Sequence, residues 1–169
     1  IENYKSGSDP DNYPDVPHLK NLLESGSGFQ TNHNINFAGG DERNSYLFSL
    51  SYLGQNGVVA KNNYKKYNFL LNFDSRIKDN LLLKVNLSGY DATTNEPRHS
   101  GGNGDVTDMI AAAVREPSIY AGKKSDGTYG HQDNYSPEAW IASESFSKNK
   151  NKMFLGSVDL TWEIIKGLS

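Results

Sequence analysis

The sequence predicts a mainly β chain: antiparallel, up-and-down strands interrupted by one long loop that carries one or two short helices. Three observations lead there. Apolar and polar residues alternate with period two in five separate runs, which puts one set on each face of a strand. The links between the runs are short, longer, short and very long in turn. Successive links of an up-and-down sheet lie at opposite ends, so the short ones share one end and the long ones the other. The runs are also about nine to twelve residues long, the length that a tilted membrane-crossing strand needs.

The organising stretch is Gln30 to Asp91. Its first run sets His33, Ile35 and Phe37 against Asn34, Asn36 and Ala38. The second sets Tyr46, Phe48, Leu50 and Tyr52 against Ser45, Leu47, Ser49 and Ser51. The third sets Tyr67, Phe69, Leu71 and Phe73 against Asn68, Leu70, Asn72 and Asp74. The fourth sets Leu81, Leu83, Val85 and Leu87 against Leu82, Lys84, Asn86 and Ser88. One face is large and apolar; the other is mostly small or polar. A fifth run, placed at residues 152–165, repeats the form with Phe154, Val158, Leu160, Trp162 and Ile164. Gly39–Arg43 and Arg76–Asn80 read as tight polar turns, and Gly54–Asn63 as a longer link.

Ahead of the strands, Ser8-Asp9-Pro10-Asp11-Asn12-Tyr13-Pro14 is turn chemistry throughout. Asp9, Asp11 and Asn12 lack the central Gly and terminal Glu of a calcium loop, so a solvated turn accounts for them. Pro17 suits a first helical position, with Leu19, Leu22 and Leu23 on one face and Gly26 as the stop.

Residues 92–151 form an insert far beyond ordinary loop length, and long loops lean functional. Asn95–Gly104 is polar and glycine-rich. Asp105 caps a helix, with Asp108 completing an acidic capping box. Val106, Met109, Ile110, Ala113 and Val114 follow at helical spacing, and Pro117 ends the run. Ser125–Gly130 is a turn. Ser136-Pro137-Glu138 opens a second short helix bearing Trp140 and Ile141.

Composition excludes several functions. The chain has 169 residues, is 36% hydrophobic and carries a net charge of −3, which argues against a nucleic-acid partner. Its mean hydropathy is −0.69, and no stretch approaches a transmembrane helix. There is no cysteine. The four histidines (His18, His33, His99 and His131) have no partners at zinc-ligand spacing and read as surface or lumen residues. No nucleophile elbow, phosphate loop or metalloprotease motif occurs. Asp105 and Asp108 are explained by capping. The sequence therefore offers no catalytic residues, no metal ligands, no cofactor site and no enzyme.

Alternation alone fits a soluble β-sandwich as well as a membrane barrel. On the first reading the chain is a glycan-binding module whose Tyr120, Tyr129, Tyr135 and Trp140 stack on sugar rings. A resemblance weighs for the second. Gly39-Gly40 before Tyr46-Leu-Phe-Ser49-Leu-Ser-Tyr52, then Gln55-Asn-Gly57, then Tyr64-Lys-Lys-Tyr67-Asn-Phe-Leu-Leu-Asn72 resembles the SusC/RagA group of TonB-dependent outer-membrane transporters. The Asp9-Pro10…Tyr13-Pro14 opening, the Glu116-Pro117 helix end and the Asp126-Gly127 turn resemble it too. The order and spacing of these motifs span nearly the whole chain. One departure is Pro17-His18, where that group's short helix is expected to carry a Trp.

The resemblance implies a fragment of a barrel of about 22 strands, in the bacterial outer membrane. It implies a plug and TonB-contacting segment outside this chain, and a SusD-like surface lipoprotein closing the barrel as a lid. It further implies uptake of oligosaccharides or peptides, driven by TonB. Strand parity then puts residues 54–63 and 92–151 on the extracellular side, where Tyr120, Tyr129, Tyr135 and Trp140 are candidates for substrate or lid contact. Phe48, Leu50, Phe69, Leu71, Leu83 and Val85 are expected to face outer-membrane lipid, and Tyr46, Tyr52, Tyr67 and Trp162 to form interfacial girdles. An isolated piece of this kind, with raw strand edges and an open apolar face, is expected to self-associate.

The face assignment has a direct consequence in the full-length receptor. A charge on the lipid face at mid-membrane costs about 2–4 kcal/mol and little on the lumen face. Leu71→Arg should impair barrel assembly, read by heat-modifiable gel mobility, while Asn72→Arg should not; equal tolerance of both contradicts the assignment.

Overall fold

The computed structural model describes residues 2–98, 105–131 and 136–165. Two short helices, α1 (Glu2–Ser6) and α2 (His18–Leu23), precede four consecutive strands: β1 (Gln30–Gly40), β2 (Asn44–Asn56), β3 (Asn63–Lys78) and β4 (Leu81–Pro97). Helices α3 (Val106–Arg115) and α4 (Pro137–Ala142) follow, then β5 (Phe146–Trp162). The strands form one sheet in the order β1-β2-β3-β4-β5, so every strand neighbours its sequence neighbour. This is the mainly β, up-and-down arrangement that the alternation predicts.

The side-chain faces follow the period. Phe37 stacks near Phe48 with ring centroids 6.4 Å apart, His33 near Tyr52 at 6.2 Å, Tyr52 against Tyr67 at 4.9 Å, and Phe69 against Phe154 at 6.1 Å. These aromatics share one face. On the opposite face, Asn68 Nδ2 donates to Ser51 Oγ at 2.9 Å and Asn86 Nδ2 to Ser157 Oγ at 3.3 Å. The Lys66 ammonium lies 4.6 Å from the Tyr90 ring centroid on that face, a cation–π contact.

The short turns are held by their own side chains. Asp41 Oδ1 accepts from the backbone N–H of Arg43 at 2.8 Å and of Asn44 at 2.7 Å. These bonds, the Arg43 N–H first, hold its carboxyl below the ordinary range. At the next turn, Asn80 donates to the Glu163 carbonyl and accepts the Glu163 N–H through its own carbonyl, both at 2.9 Å.

The strands run further than the apolar period indicates, to as many as 17 residues rather than about nine to twelve: β1 reaches Gly40, β2 reaches Asn56 and β3 spans Asn63–Lys78, so the stretches read as the Gly39–Arg43 turn, the Gly54–Asn63 link and the Arg76–Asn80 turn are partly strand. The sequence reading ended the fourth at Asp91 and began the fifth at Lys152; β4 continues to Pro97 and β5 begins at Phe146, leaving 98–145 between them. The extra length, Ala92-Thr93-Thr94-Asn95-Glu96 on one side and Ser147–Asn151 on the other, has no apolar face to read. Backbone pairing needs none. It extends to Arg98, whose N–H donates to the Ser145 carbonyl at 3.1 Å.

The chain divides into two compact units. One holds residues 31–54, 64–93 and 150–169, the greater part of the sheet. The other gathers residues 1–30, 55–63 and 94–149. This second unit has its own core: Leu22 from α2, Val59 from the β2–β3 link, and Met109 and Ala113 from α3 are buried together. Val106, Ile110, Trp140 and Ile141 pack around them. Helix α3 starts as expected. Asp105 accepts from the N–H of Thr107 and Asp108, and Asp108 reaches back to the Asp105 N–H, a closed capping box. Those bonds lower the Asp105 carboxyl from its ordinary value, the Asp108 N–H contributing most. The cap is therefore fully made above that ordinary value and is lost as the pH falls through the lowered one.

Other details correct the sequence reading. Val114 is 64% exposed, because five residues past Met109 is about 140° round the helix; Ala112 and Ala113 take the buried face instead. In α2 only Leu22 of the three leucines is buried, and His18 is buried beside it. α1 has no apolar period and was not anticipated.

Gly26 shows why this unit needs glycine. Its N–H donates to the Val58 carbonyl at 2.8 Å, and a Cβ there would run into the backbone carbonyl of Gly57. Ser25 completes the junction, accepting the Ala60 N–H at 2.8 Å and donating to the Leu22 carbonyl at 2.7 Å.

Met109 is fully buried at the centre of this core. Met109→Ala should cost about 2–5 kcal/mol. Hydrogen exchange should then rise in α2, α3 and the 55–63 link while strand amides of β2 and β3 keep their protection. Uniform loss of protection through those strands would mean that the core is not a separate cooperative unit.

Candidate functional site

The unit made from residues 1–30, 55–63 and 94–149 carries the features that are not needed to build a sheet. α2 and α4 are joined by a buried polar contact. His18, 3% exposed, places Nδ1 2.8 Å from Glu138 Oε1. The carboxylate accepts, so this nitrogen carries the proton. Glu138 sits in the first turn of α4, whose N-cap Ser136 accepts the Ala139 N–H. The departure at Pro17-His18 thus has a structural role: an imidazole fills the helix–helix contact and finds a carboxylate there. The reading of His18 as a surface or lumen residue is corrected. Its partner lies 120 positions along the chain, so local sequence gave no sign of it.

A cleft of about 270 Å³ opens beside this pair. Leu22, Pro137 and Ile141 supply apolar walls, and Lys123, Tyr129 and Glu138 supply polar ones. Tyr129 is placed by a tight turn. Gly127 has φ +85°, the left-handed region that suits glycine. Asp126 accepts from Thr128 N–H at 2.8 Å and Thr128 Oγ1 at 2.6 Å. The Thr128 hydroxyl is the larger reason that the Asp126 carboxyl titrates below its ordinary value. Lys123 and Tyr129 then pair as an antiparallel bridge. The turn is tied to the chain's opening, where Asp11 accepts from the N–H and hydroxyl of Ser125. Asp9 accepts from Asn12, whose side-chain amide is the main cause of its lowered carboxyl. These carboxylates serve turns and caps. Among the described residues no cluster of three His, Cys, Asp or Glu side chains could hold a metal.

The four aromatic candidates are distributed unequally. Tyr129 lines the cleft. Trp140 packs against the Leu22–Met109 core. Tyr120 is partly buried after a turn in which its N–H donates to the Pro117 carbonyl. Tyr135 lies outside the described residues, as do His99 and the Gly101–Gly104 loop. The six candidate lipid-facing residues sit on the sheet, and all are partly or largely exposed. The arrangement offers binding surfaces: an apolar cleft with charged walls in one unit, an aromatic sheet face in the other.

No family model matches the chain. Two curated proteins of Formosa agariphila do. It is 28% identical to TonB-dependent receptor P3 over 149 residues, 84% of this chain and 15% of that receptor. It is 31% identical to TonB-dependent receptor P26 over 157 residues, 89% of this chain and 14% of that receptor. The chain therefore spans about one-seventh of the relatives it matches. Among solved structures, it superposes on a chain of the RagAB peptide transporter with TM-score 0.63 and 25% identity, covering 94% of this chain and 18% of that one. It superposes on the RagAB peptide importer in its "closed-closed" state with TM-score 0.50 and 29% identity, covering 69% and 13%. The resemblance carried by Tyr46–Tyr52, Gln55–Gly57 and Tyr64–Asn72 is thereby met in comparisons that cover 69–94% of the chain, and the five-stranded, up-and-down sheet is similar to a stretch of a SusC/RagA-like TonB-dependent transporter.

Proposed function

We propose that this chain contributes five strands and a ligand-facing loop to a transporter that imports peptides or oligosaccharides across the outer membrane. TonB drives it through a plug, and a SusD-like lipoprotein covers it. The observation that carries the reading is the superposition over 94% of the chain on a chain of the RagAB peptide transporter. On this reading the face bearing Phe48, Leu50, Phe69, Leu71, Leu83 and Val85 meets lipid, and the face bearing Asn68, Lys84 and Asn86 meets the lumen. β1 and β5, each with a single strand neighbour here, continue the ladder on either side.

The connections 57–62 and 98–145 then lie outside the cell. Their sharing one compact unit with one core supports this, since parity requires both at the same end of the strands. A loop that only closed β4 to β5 would need no core, no capped helix and no cleft. The unit works as a preformed contact surface, with Tyr129 and Tyr120 towards substrate or lid and Trp140 holding the surface rigid from beneath. No observation favours the soluble glycan-binding module.

The test is to replace residues 98–145 with a short Gly-Ser link in the full-length receptor. Outer-membrane insertion should persist, since every strand is kept. Substrate uptake or lipoprotein capture should fall at least about tenfold, as expected when a contact worth roughly 1.4 kcal/mol or more is removed. Insertion together with wild-type uptake and wild-type lid binding would show that the loop is padding.

A further inference from the structure

On the aromatic face of the sheet, a row of lysines stands just past the last rings. Asp91 of β4 shares that face with Leu50, Tyr67, Phe69 and Phe154. Strand register fixes what lies beyond it. Along β4 and β5, Asn80 is bonded to Glu163, Asn86 to Ser157, and Asp91 Oδ2 lies 2.8 Å from Lys152 Nζ. Two positions further along each strand, Thr93 stands opposite Lys150. Along β3 and β4, the Phe69 ring lies over Gly89, and Asn63 Oδ1 accepts from Asn95 Nδ2 at 2.8 Å. Between those pairs, Lys65 stands opposite Thr93. Side chains two positions apart share a face, so Lys65, Thr93 and Lys150 follow Tyr67, Asp91 and Lys152 on the aromatic face.

The charge of this patch is unbalanced. Asp91 is committed to Lys152. Lys65 and Lys150 are exposed, and among the described residues neither has an ion-pair partner. Three lysines thus stand against one carboxylate, a net charge of +2 for Lys65, Lys150, Lys152 and Asp91. Twelve residues separate Leu81, at the start of β4, from Thr93. At about 3.3 Å per residue and a tilt near 45°, that is roughly 28 Å along the membrane normal, just past the ~25 Å apolar band of an outer-membrane barrel. On the proposed reading this end of the strands lies outside the cell, so the lysines stand level with the head groups of the outer leaflet.

We propose that Lys65, Thr93 and Lys150 hold a phosphomonoester of a surface glycolipid in the outer leaflet. The proposal rests on the reading of the aromatic face as lipid-facing. The choice of head group follows from charge and geometry. Lys65 and Lys150 flank Thr93 from the two neighbouring strands, roughly 10 Å apart at the backbone, and their flexible stems let both ammonium groups turn to one anion. A phosphomonoester carries about −1.5 to −2 charges at pH 7 and three acceptor oxygens. That matches the net charge of the patch, and the oxygens accept from two ammonium groups and the Thr93 hydroxyl. A phosphodiester head group brings one charge and two free oxygens, which leaves one lysine without an anion. The Asp91 carboxylate does not repel the ligand, because Lys152 neutralises it. Below the patch the apolar face of β5 runs on through Phe154, Val158 and Leu160, all more than half exposed, and this surface takes the acyl chains.

The experiment is native mass spectrometry of the full-length receptor in detergent, titrated with monophosphoryl lipid A, its dephosphorylated form, dimyristoyl phosphatidylglycerol or soluble glucosamine phosphate. The wild type should retain the phosphorylated glycolipid in preference to the other two lipids, and should not retain the soluble sugar phosphate. Lys65→Gln and Lys150→Gln should each weaken that retention about tenfold, the scale of one charged hydrogen bond; either carries the test if the other fails to assemble. Lys84→Gln, the same charge loss on the opposite face, should change nothing. Equal retention by wild type and both lysine variants, an equal loss in Lys84→Gln, or equal retention of the dephosphorylated glycolipid, the glycerol lipid or the soluble sugar phosphate overturns the site. If Leu71→Arg and Asn72→Arg prove equally tolerated, the face reading itself fails; if they differ while glycolipid retention ignores Lys65 and Lys150, the site alone is wrong.

Discussion

The constraint on which this structure depends is the two-residue period of a paired strand. Once β2, β3 and β4 are hydrogen-bonded in order, each side chain is committed to one of two faces, and a shift of one residue would exchange them all. The register here puts Phe37, Phe48, Tyr52, Tyr67, Phe69 and Phe154 on one face, and Ser51, Asn68, Asn86 and Ser157 on the other. A soluble sheet with so large an aromatic face needs a second layer to cover it. A barrel strand needs only lipid on one side and water on the other. On the proposed reading, lipid and water supply what the faces lack within this chain.

The second unit answers a different physical demand. Segments far apart in sequence, 1–30, 55–63 and 94–149, come together through a few buried residues, with Met109 at the centre. Ala112 and Ala113 keep that face of α3 small enough for close approach. Gly26 and Gly57 let backbone meet backbone, and the His18–Glu138 contact supplies direction. Such a unit can hold a surface still for a partner, and preorganisation of that kind raises affinity by lowering the ordering cost of binding.

How much of this was legible follows from whether the determining interactions are local. The strands of residues 30–91 could be read because apolar and polar residues alternate in the sequence itself. The Asp105 cap and the Ser136-Pro137 helix start could be read because their partners lie two or three residues away. Four things could not. The extension of β4 to Pro97 and of β5 back to Phe146 rests on backbone pairing without an apolar face. The burial of His18 rests on a carboxylate 120 residues away. Trp140, which resembles a ligand-stacking residue in the sequence, is recruited by a core built from three distant segments. The packing of the Phe69 ring over Gly89 and beside Phe154 joins β3, β4 and β5, a juxtaposition that no single strand displays.

The central claim is that one sheet face meets lipid and the other water, and adjacent residues on β4 read it most directly. Nitroxide labels placed singly at Leu83→Cys and Lys84→Cys in the membrane-reconstituted full-length receptor would be compared for collision with molecular oxygen, which concentrates in lipid, and with a water-soluble nickel chelate. The label at position 83 should favour oxygen and the label at position 84 the chelate. The same preference at both positions, or the reverse order, would contradict the account.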